Sequence, residues 1–245
     1  MKAWLDTLLF GYYPYLCLTV FLLGSLLRFD RDQYTWKSDS SQLLRAGQLK
    51  WGSNLFHAGI LFLFFGHTVG MLPPHFVYEP FISAGAKQLL AMVSGGAFGV
   101  LGIIGLTLLL HRRLTDARIR ATSKTSDIVL LILLWLQFAL GLATVPMSAQ
   151  HLDGSMMMVL AEWAQRIVTF RGGAAELMAG VSPVFRAHMF LGMTIFLIFP
   201  FTRLVHVWSG FGTLAYVVRP YQVVRARRLN VPAGQNLPRQ PGASV

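Results

Sequence analysis

Residues 53–67 read SNLFHAGILFLFFGH. Leu, Ile, Phe, Ala and Gly fill almost all of it, yet it carries two imidazoles, His57 and His67. The apolar run continues to Leu72, and about 20 such residues in a helix cross the hydrocarbon core of a bilayer. Four other runs have the same character: Thr7–Leu27, Leu89–Leu110, Ile128–Pro146 and Phe185–Val207. No strand-like alternation replaces them, and a helix satisfies its own backbone in lipid. The sequence therefore predicts an all-α integral membrane bundle of five transmembrane helices.

Composition agrees. Of 245 residues, 54% are hydrophobic and 13% charged, where a soluble domain carries about 25% charged residues. The single cysteine, Cys17, lies in the first run. One cysteine excludes an internal disulfide framework and a four-cysteine iron–sulfur cluster held by this chain alone. No C-x-x-C-H stands in the sequence, so a haem would be bound without covalent attachment.

The formal net charge is +11, and it is unevenly placed. Arg28, Arg31, Lys37, Arg45 and Lys50 follow the first span, Arg112, Arg113, Arg118, Arg120 and Lys124 the third, and Arg219, Arg225, Arg227, Arg228 and Arg239 the fifth. Lys2, Lys87, Arg166, Arg171 and Arg186 belong to the other side. Cytoplasmic loops collect Lys and Arg, which predicts an outer N-terminus and a cytoplasmic C-terminus. The basic face suits topology and anionic lipid headgroups, or a docking surface for an acidic partner. No nucleic-acid-binding fold is present, so nucleic acid is not an expected partner.

The loop 147–184 contains MMMVLAEWAQRIVTF (156–170), too short to span. Met157, Leu160, Trp163 and Ile167 recur at helical spacing, which predicts an interfacial helix over the outer surface, its methionines turned to the membrane. Residues 1–228 form the expected membrane domain. Residues 229–245, rich in Pro, Gly, Gln and Asn, are expected to form a flexible cytoplasmic tail.

His75, His111 and His151 fall in loops or at span ends, but His57, His67, His188 and His206 stand two by two in the second and fifth spans. Ionisable side chains inside a membrane mark function. These two spans run in opposite directions, so His67 is level with His188 near the outer side and His57 with His206 near the inner side. His57 and His67 are separated by about 15 Å of helix rise, His188 and His206 by about 27 Å. Helix tilt or offset sites must absorb that difference. A continuous fifth helix would also put His188 and His206 on one face, five turns apart.

Two facing histidines between helices can hold a haem iron from both sides. With both axial positions filled, such a haem passes electrons and binds no small ligand, and two of them make a wire across the membrane. Arg186, Arg203, Arg112 and Arg113 stand near the span ends as candidate cations for propionates, or as ordinary interfacial anchors. Small residues in VSGGAFGVLGIIG (93–105) permit close helix packing or a flat cofactor. Gly66 beside His67 leaves room for a ring.

SNLFHAGILFLFFGH, QYTWKSDSSQ (33–42), SAQHLDGS (148–155), FRAHMFLGMTIFLIFPFTRLVHVW (185–208) and YQVVRAR (221–227) together resemble the gamma subunit of bacterial respiratory nitrate reductase. That family is the dihaem cytochrome b anchor of the enzyme in the bacterial inner membrane. The resemblance implies two non-covalent b haems, one on His57 and His206 and one on His67 and His188. It implies quinol oxidation near the outer haem, with Lys87, Gly66 and His67 at the quinol site, and Arg113 at the propionates of the inner haem. It also implies two cytoplasmic partners, an iron–sulfur beta subunit and a molybdenum-containing alpha subunit that reduces nitrate. Lys87 is the cation of the outer loop before the third span, where it could meet a quinol oxygen or a propionate, or snorkel as an anchor.

Two rivals stand beside this reading. The same quinol-linked module could serve another reductase, of heterodisulfide or sulfite type. A proton-relay transporter could use unligated histidines, but the acidic residues Asp6 and Asp127 lie at span edges.

Overall fold

The computed structural model describes residues 2–32, 44 and 46–209. The stretch QYTWKSDSSQ, the cations Lys37, Arg45, Arg219, Arg225, Arg227, Arg228 and Arg239, and the expected tail 229–245 lie outside the described residues.

Among the described residues the structure is helical, without strands. Five helices are long and apolar enough to cross a membrane: Trp4–Arg31, Ala46–Met71, Ala84–Thr115, Thr125–Ser148 and Pro183–Phe201. Most extend several residues past the apolar runs, because nothing in the flanking polar sequence stops a helix there. Ser83 does start the third one, accepting a hydrogen bond from the Ala86 N–H.

The spans pack in the order second, third, fourth, fifth, first. The second lies along the third at glycine contacts. A Cβ added to Gly59 would stand 2.7 Å from Gly102 Cα, and one added to Gly105 would stand 2.4 Å from the Phe56 nitrogen. Side chains larger than hydrogen cannot enter a seam this close. Gly99 and Gly102 also admit Leu142 and Phe138 of the fourth span. Gly95 and Gly96, in the same small-residue run, face no atom within 4 Å.

The first span is composite. Residues Thr7–Tyr12 form a π-helical turn ahead of the α-helix Tyr13–Arg31. Pro14 has no N–H to give the Phe10 carbonyl four residues earlier, and the Trp163 indole donates to that oxygen at 3.0 Å. Trp163 belongs to the helix Ser155–Val168, a helix in the stretch where the sequence predicts one. Its apolar stripe faces protein, however. Trp163 and Ile167 are buried with Phe10, Met178 and Phe185, and Met156 and Leu160 pack against them. Met157 faces Gly70. The expectation that the methionines turn to the membrane is corrected for these two, because the first and second spans offer them apolar surface.

The fifth span departs most from expectation. Its α-helix ends at Ile198, a 3-10 turn covers Phe199–Phe201, Thr202 is extended, and a second 3-10 turn covers Arg203–Val205. Pro200 cannot continue a regular helix. His188 and His206 thus do not share one face of a continuous helix. The helical stretch from His188 to Ile198 equals the ten residues from His57 to His67, about 15 Å. Two 3-10 turns around an extended Thr202 follow, so the eighteen residues from His188 to His206 are not one straight α-helix of about 27 Å.

Candidate functional site

Both histidine pairs are brought together. The ring centres of His57 and His206 are 6.2 Å apart, and so are those of His67 and His188. A metal–imidazole bond of about 2.0 Å, plus about 1.1 Å from nitrogen to ring centre, doubled, gives about 6.2 Å. Each pair therefore has the separation of two imidazoles on opposite sides of one metal ion.

Tautomers are set by the backbone. His57 Nδ1 meets the Ser53 carbonyl at 2.8 Å, His67 Nδ1 the Leu63 carbonyl at 2.7 Å, and His206 Nδ1 the Arg203 carbonyl at 2.6 Å. A carbonyl only accepts, so Nδ1 carries the hydrogen and Nε2 keeps its lone pair as a ligand. His188 differs: its buried Nδ1 has no hydrogen-bond partner among the described residues. Gly141 makes room for that ring, since a Cβ there would stand 3.0 Å from His188 Cε1. Gly141 was not among the residues singled out from the sequence, and nothing local marks it.

The residues fit a haem. Two protein ligands per site match an iron whose other four positions belong to a macrocycle. A Cβ added at Gly66, beside His67, would meet no atom within 4 Å.

A family model described as the nitrate reductase gamma subunit matches residues 6–227. The chain belongs to the nitrate reductase gamma subunit family. It is 57% identical over 229 residues to the respiratory nitrate reductase 2 gamma chain of Escherichia coli K12, covering 93% of this chain and 100% of that one. It is 53% identical over 223 residues to the respiratory nitrate reductase 1 gamma chain of the same organism, covering 91% and 98%. It is 38% identical over 221 residues to the nitrate reductase gamma chain of Bacillus subtilis, covering 90% and 98%.

In this member of the gamma-subunit family Lys87 stands at the start of the third span with its Nζ 3.3 Å from the centre of the Tyr78 ring. That Nζ is buried and has no hydrogen-bond partner among the described residues. The Gly59–Gly102 and Gly52–Gly105 contacts set an antiparallel register between the second and third spans. Carried outward, it puts Lys87 about 5–10 Å beyond His67 along the helix axis. Burial and then the neighbouring Glu79 carboxylate push the Tyr78 phenol above its usual range, so it keeps its proton. Next to Lys87, the fully buried Gln88 donates to the carbonyls of Ser148 and His151 and accepts from the Met157 N–H. It seats the loop after the fourth span on this corner. The sequence reading passed over both Tyr78 and Gln88.

Arg113, Arg203 and Arg186 are engaged by the chain itself. Arg113 donates to the Ser123 hydroxyl at 3.0 Å and lies 3.8 Å from Asp127 Oδ2. Arg203 grips Asp127 with two nitrogens, Nε to Oδ1 at 2.9 Å and Nη2 to Oδ2. Arg186 pairs with Asp6 at the opposite end of the bundle, near His188. Beside His206 the two guanidinium groups of Arg113 and Arg203 share the Asp127 carboxylate, so positive charge is in excess there.

Proposed function

We propose that this chain is the dihaem cytochrome b subunit that anchors a respiratory nitrate reductase to the bacterial inner membrane and oxidises quinol at the outer face. The supporting observation is the equal 6.2 Å spacing of the two histidine pairs, combined with membership of the gamma-subunit family. The proposed orientation is N-terminus out and C-terminus in, which places His67 and His188 outside and His57 and His206 inside.

When bound, two b haems would supply one-electron carriers between the outer and inner faces. The chain holds and orients them. Nδ1–H groups tied to carbonyls keep the His57, His67 and His206 rings from rotating and aim Nε2 into the site. The rings of His67 and His188 differ in plane by 38°, those of His57 and His206 by 68°.

At the outer corner Lys87 offers a charged donor to a quinol oxygen, and Tyr78 stacks against it with its phenol protonated. Gly66 and His67 complete the proposed quinol site. Protons given up by quinol leave on the outer side because Lys87 lies at that end of the bundle. At the inner corner Arg113 carries the proposed propionate contact. The proposed partners are an iron–sulfur subunit and a molybdenum-containing catalytic subunit on the cytoplasmic side.

Reduced-minus-oxidised visible spectra with haem quantified per protein test this reading. Two low-spin b haems are expected. A preparation in the membrane with no reducible haem band would overturn it, as a proton-relay transporter would require.

A further inference from the structure

We propose that Arg28 and Asp127 are positioning residues for the inner histidine pair: from the first and fourth spans they hold the break in the α-helix, residues 199–205, that leads directly into His206. This rests on the reading of His206 as an inner-haem ligand.

The break in the fifth span strips carbonyls of their helical partners. In a bilayer such groups have no water to turn to, and each one left bare costs several kcal/mol. Arg28 meets this need from the neighbouring helix. Its Nη1 donates to the Pro200 carbonyl at 2.6 Å and to the Thr202 carbonyl at 2.9 Å. Gly24, one turn earlier in the same helix, lets the segment close in, since a Cβ there would stand 2.9 Å from Pro200 Cγ.

The second support comes from the opposite side. Asp127 is almost fully buried at the start of the fourth span. It receives two nitrogens of Arg203, and the Arg203 carbonyl in turn accepts from His206 Nδ1 at 2.6 Å. A chain of contacts thus runs from Asp127 through Arg203 to the ligand ring. The outer ligand His188 lies inside a regular helix, Pro183–Ile198, and needs neither support. The effect of both residues is therefore selective for the inner site.

The test uses the complete complex in membranes, with Asp127→Asn, Asp127→Glu, Arg28→Gln and Arg28→Lys. Haem per protein, the low-spin resonance of each haem and its midpoint potential are measured. Loss of a group that orients a metal ligand costs roughly 10–100-fold in affinity. Asp127→Asn and Arg28→Gln should weaken inner-haem retention by that order and shift its resonance and potential, with the outer haem unchanged. Arg28→Lys and Asp127→Glu should recover part of the signal. An inner signal unaltered in both Asp127→Asn and Arg28→Gln overturns the proposal. So does equal loss of both haems, or absence of the protein from the membrane, which would assign these residues to general folding. His206→Ala separates the two levels of inference. If it keeps both haems, the ligand assignment fails. If it loses the inner haem while the Asp127 and Arg28 variants keep it unaltered, only the positioning role fails.

Discussion

Arg186 and Asp6, 180 positions apart in the chain, form a two-armed ion pair at the His188 end of the bundle. Arg203 and Asp127 do the same at the His206 end. Each arginine stands two or three residues before a histidine of the fifth span. Both ends of that span are thereby pinned, one to the first span and one to the fourth. The carboxylates that lie at span edges are structural partners of arginine, which leaves little for a proton relay to use.

Removing one carboxylate shows how much the outer pin contributes. Asp6→Asn removes the negative charge and one of the two oxygens that Arg186 donates to, leaving it the amide oxygen and the Met178 carbonyl at 3.4 Å. Hydrogen bonds to charged groups contribute about 1.5–3 kcal/mol. Thermal unfolding of the detergent-solubilised protein should start at lower temperature in Asp6→Asn and recover in Asp6→Glu. An unchanged midpoint in Asp6→Asn contradicts a pinning role.

The histidine pairs make a sharp count. His67→Ala and His188→Ala should each delete the outer haem, and His57→Ala and His206→Ala the inner. Haem per protein should fall from about two to about one in every case. A double variant within one pair should lose no more than either single, whereas His57→Ala with His67→Ala should lose both. Spectra assigning His57 and His188 to one haem would refute the antiparallel arrangement.

Lys87→Ala removes a charged donor from the corner beside Tyr78. A bond of about 1.5–3 kcal/mol corresponds to about a ten- to hundred-fold loss in quinol affinity or turnover. Reduction of nitrate from a dye that feeds the soluble subunits directly should be unaffected, with both haems retained. Intact quinol turnover would make Lys87 an anchor resting on Tyr78. Loss of haem would make its role structural.

The glycine seam predicts a contrast within one helix. Gly102→Ala puts a Cβ 2.0 Å from Phe138 Cε1, and Gly59→Ala one 2.7 Å from the Phe98 carbonyl. Overpacking of this kind costs about 1–3 kcal/mol. Gly95→Ala and Gly96→Ala meet no atom within 4 Å. Thermal stability should fall for the first two and hold for the second two, even though all but Gly59 lie in the same small-residue run.

Much of this protein is legible before folding. Apolar runs near the thickness of a bilayer mark the five spans, because lipid allows few other solutions for a backbone. Alternating span direction then pairs His67 with His188 and His57 with His206. The sequence reading runs straight through Pro200, however, although proline in a helix interior removes a hydrogen bond. A bilayer tolerates the break because Arg28 of another span supplies the missing donor, and that pairing crosses 172 positions. Local pattern carries no trace of it.

By itself the sequence determined which residues lie in the membrane and which histidines face each other, since both follow from length, hydropathy and chain direction. Only the tertiary structure decided what holds those histidines in place. Arg186 and Arg203 stand near them in sequence as free-looking cations, and the fold commits each to an aspartate on another helix. Lys87 looks like a lone outer cation, and the fold sets it over Tyr78. A charge is read from one position in the chain, but its partner depends on which helices meet, and helix packing is settled by seams such as Gly59 on Gly102 rather than by any local motif.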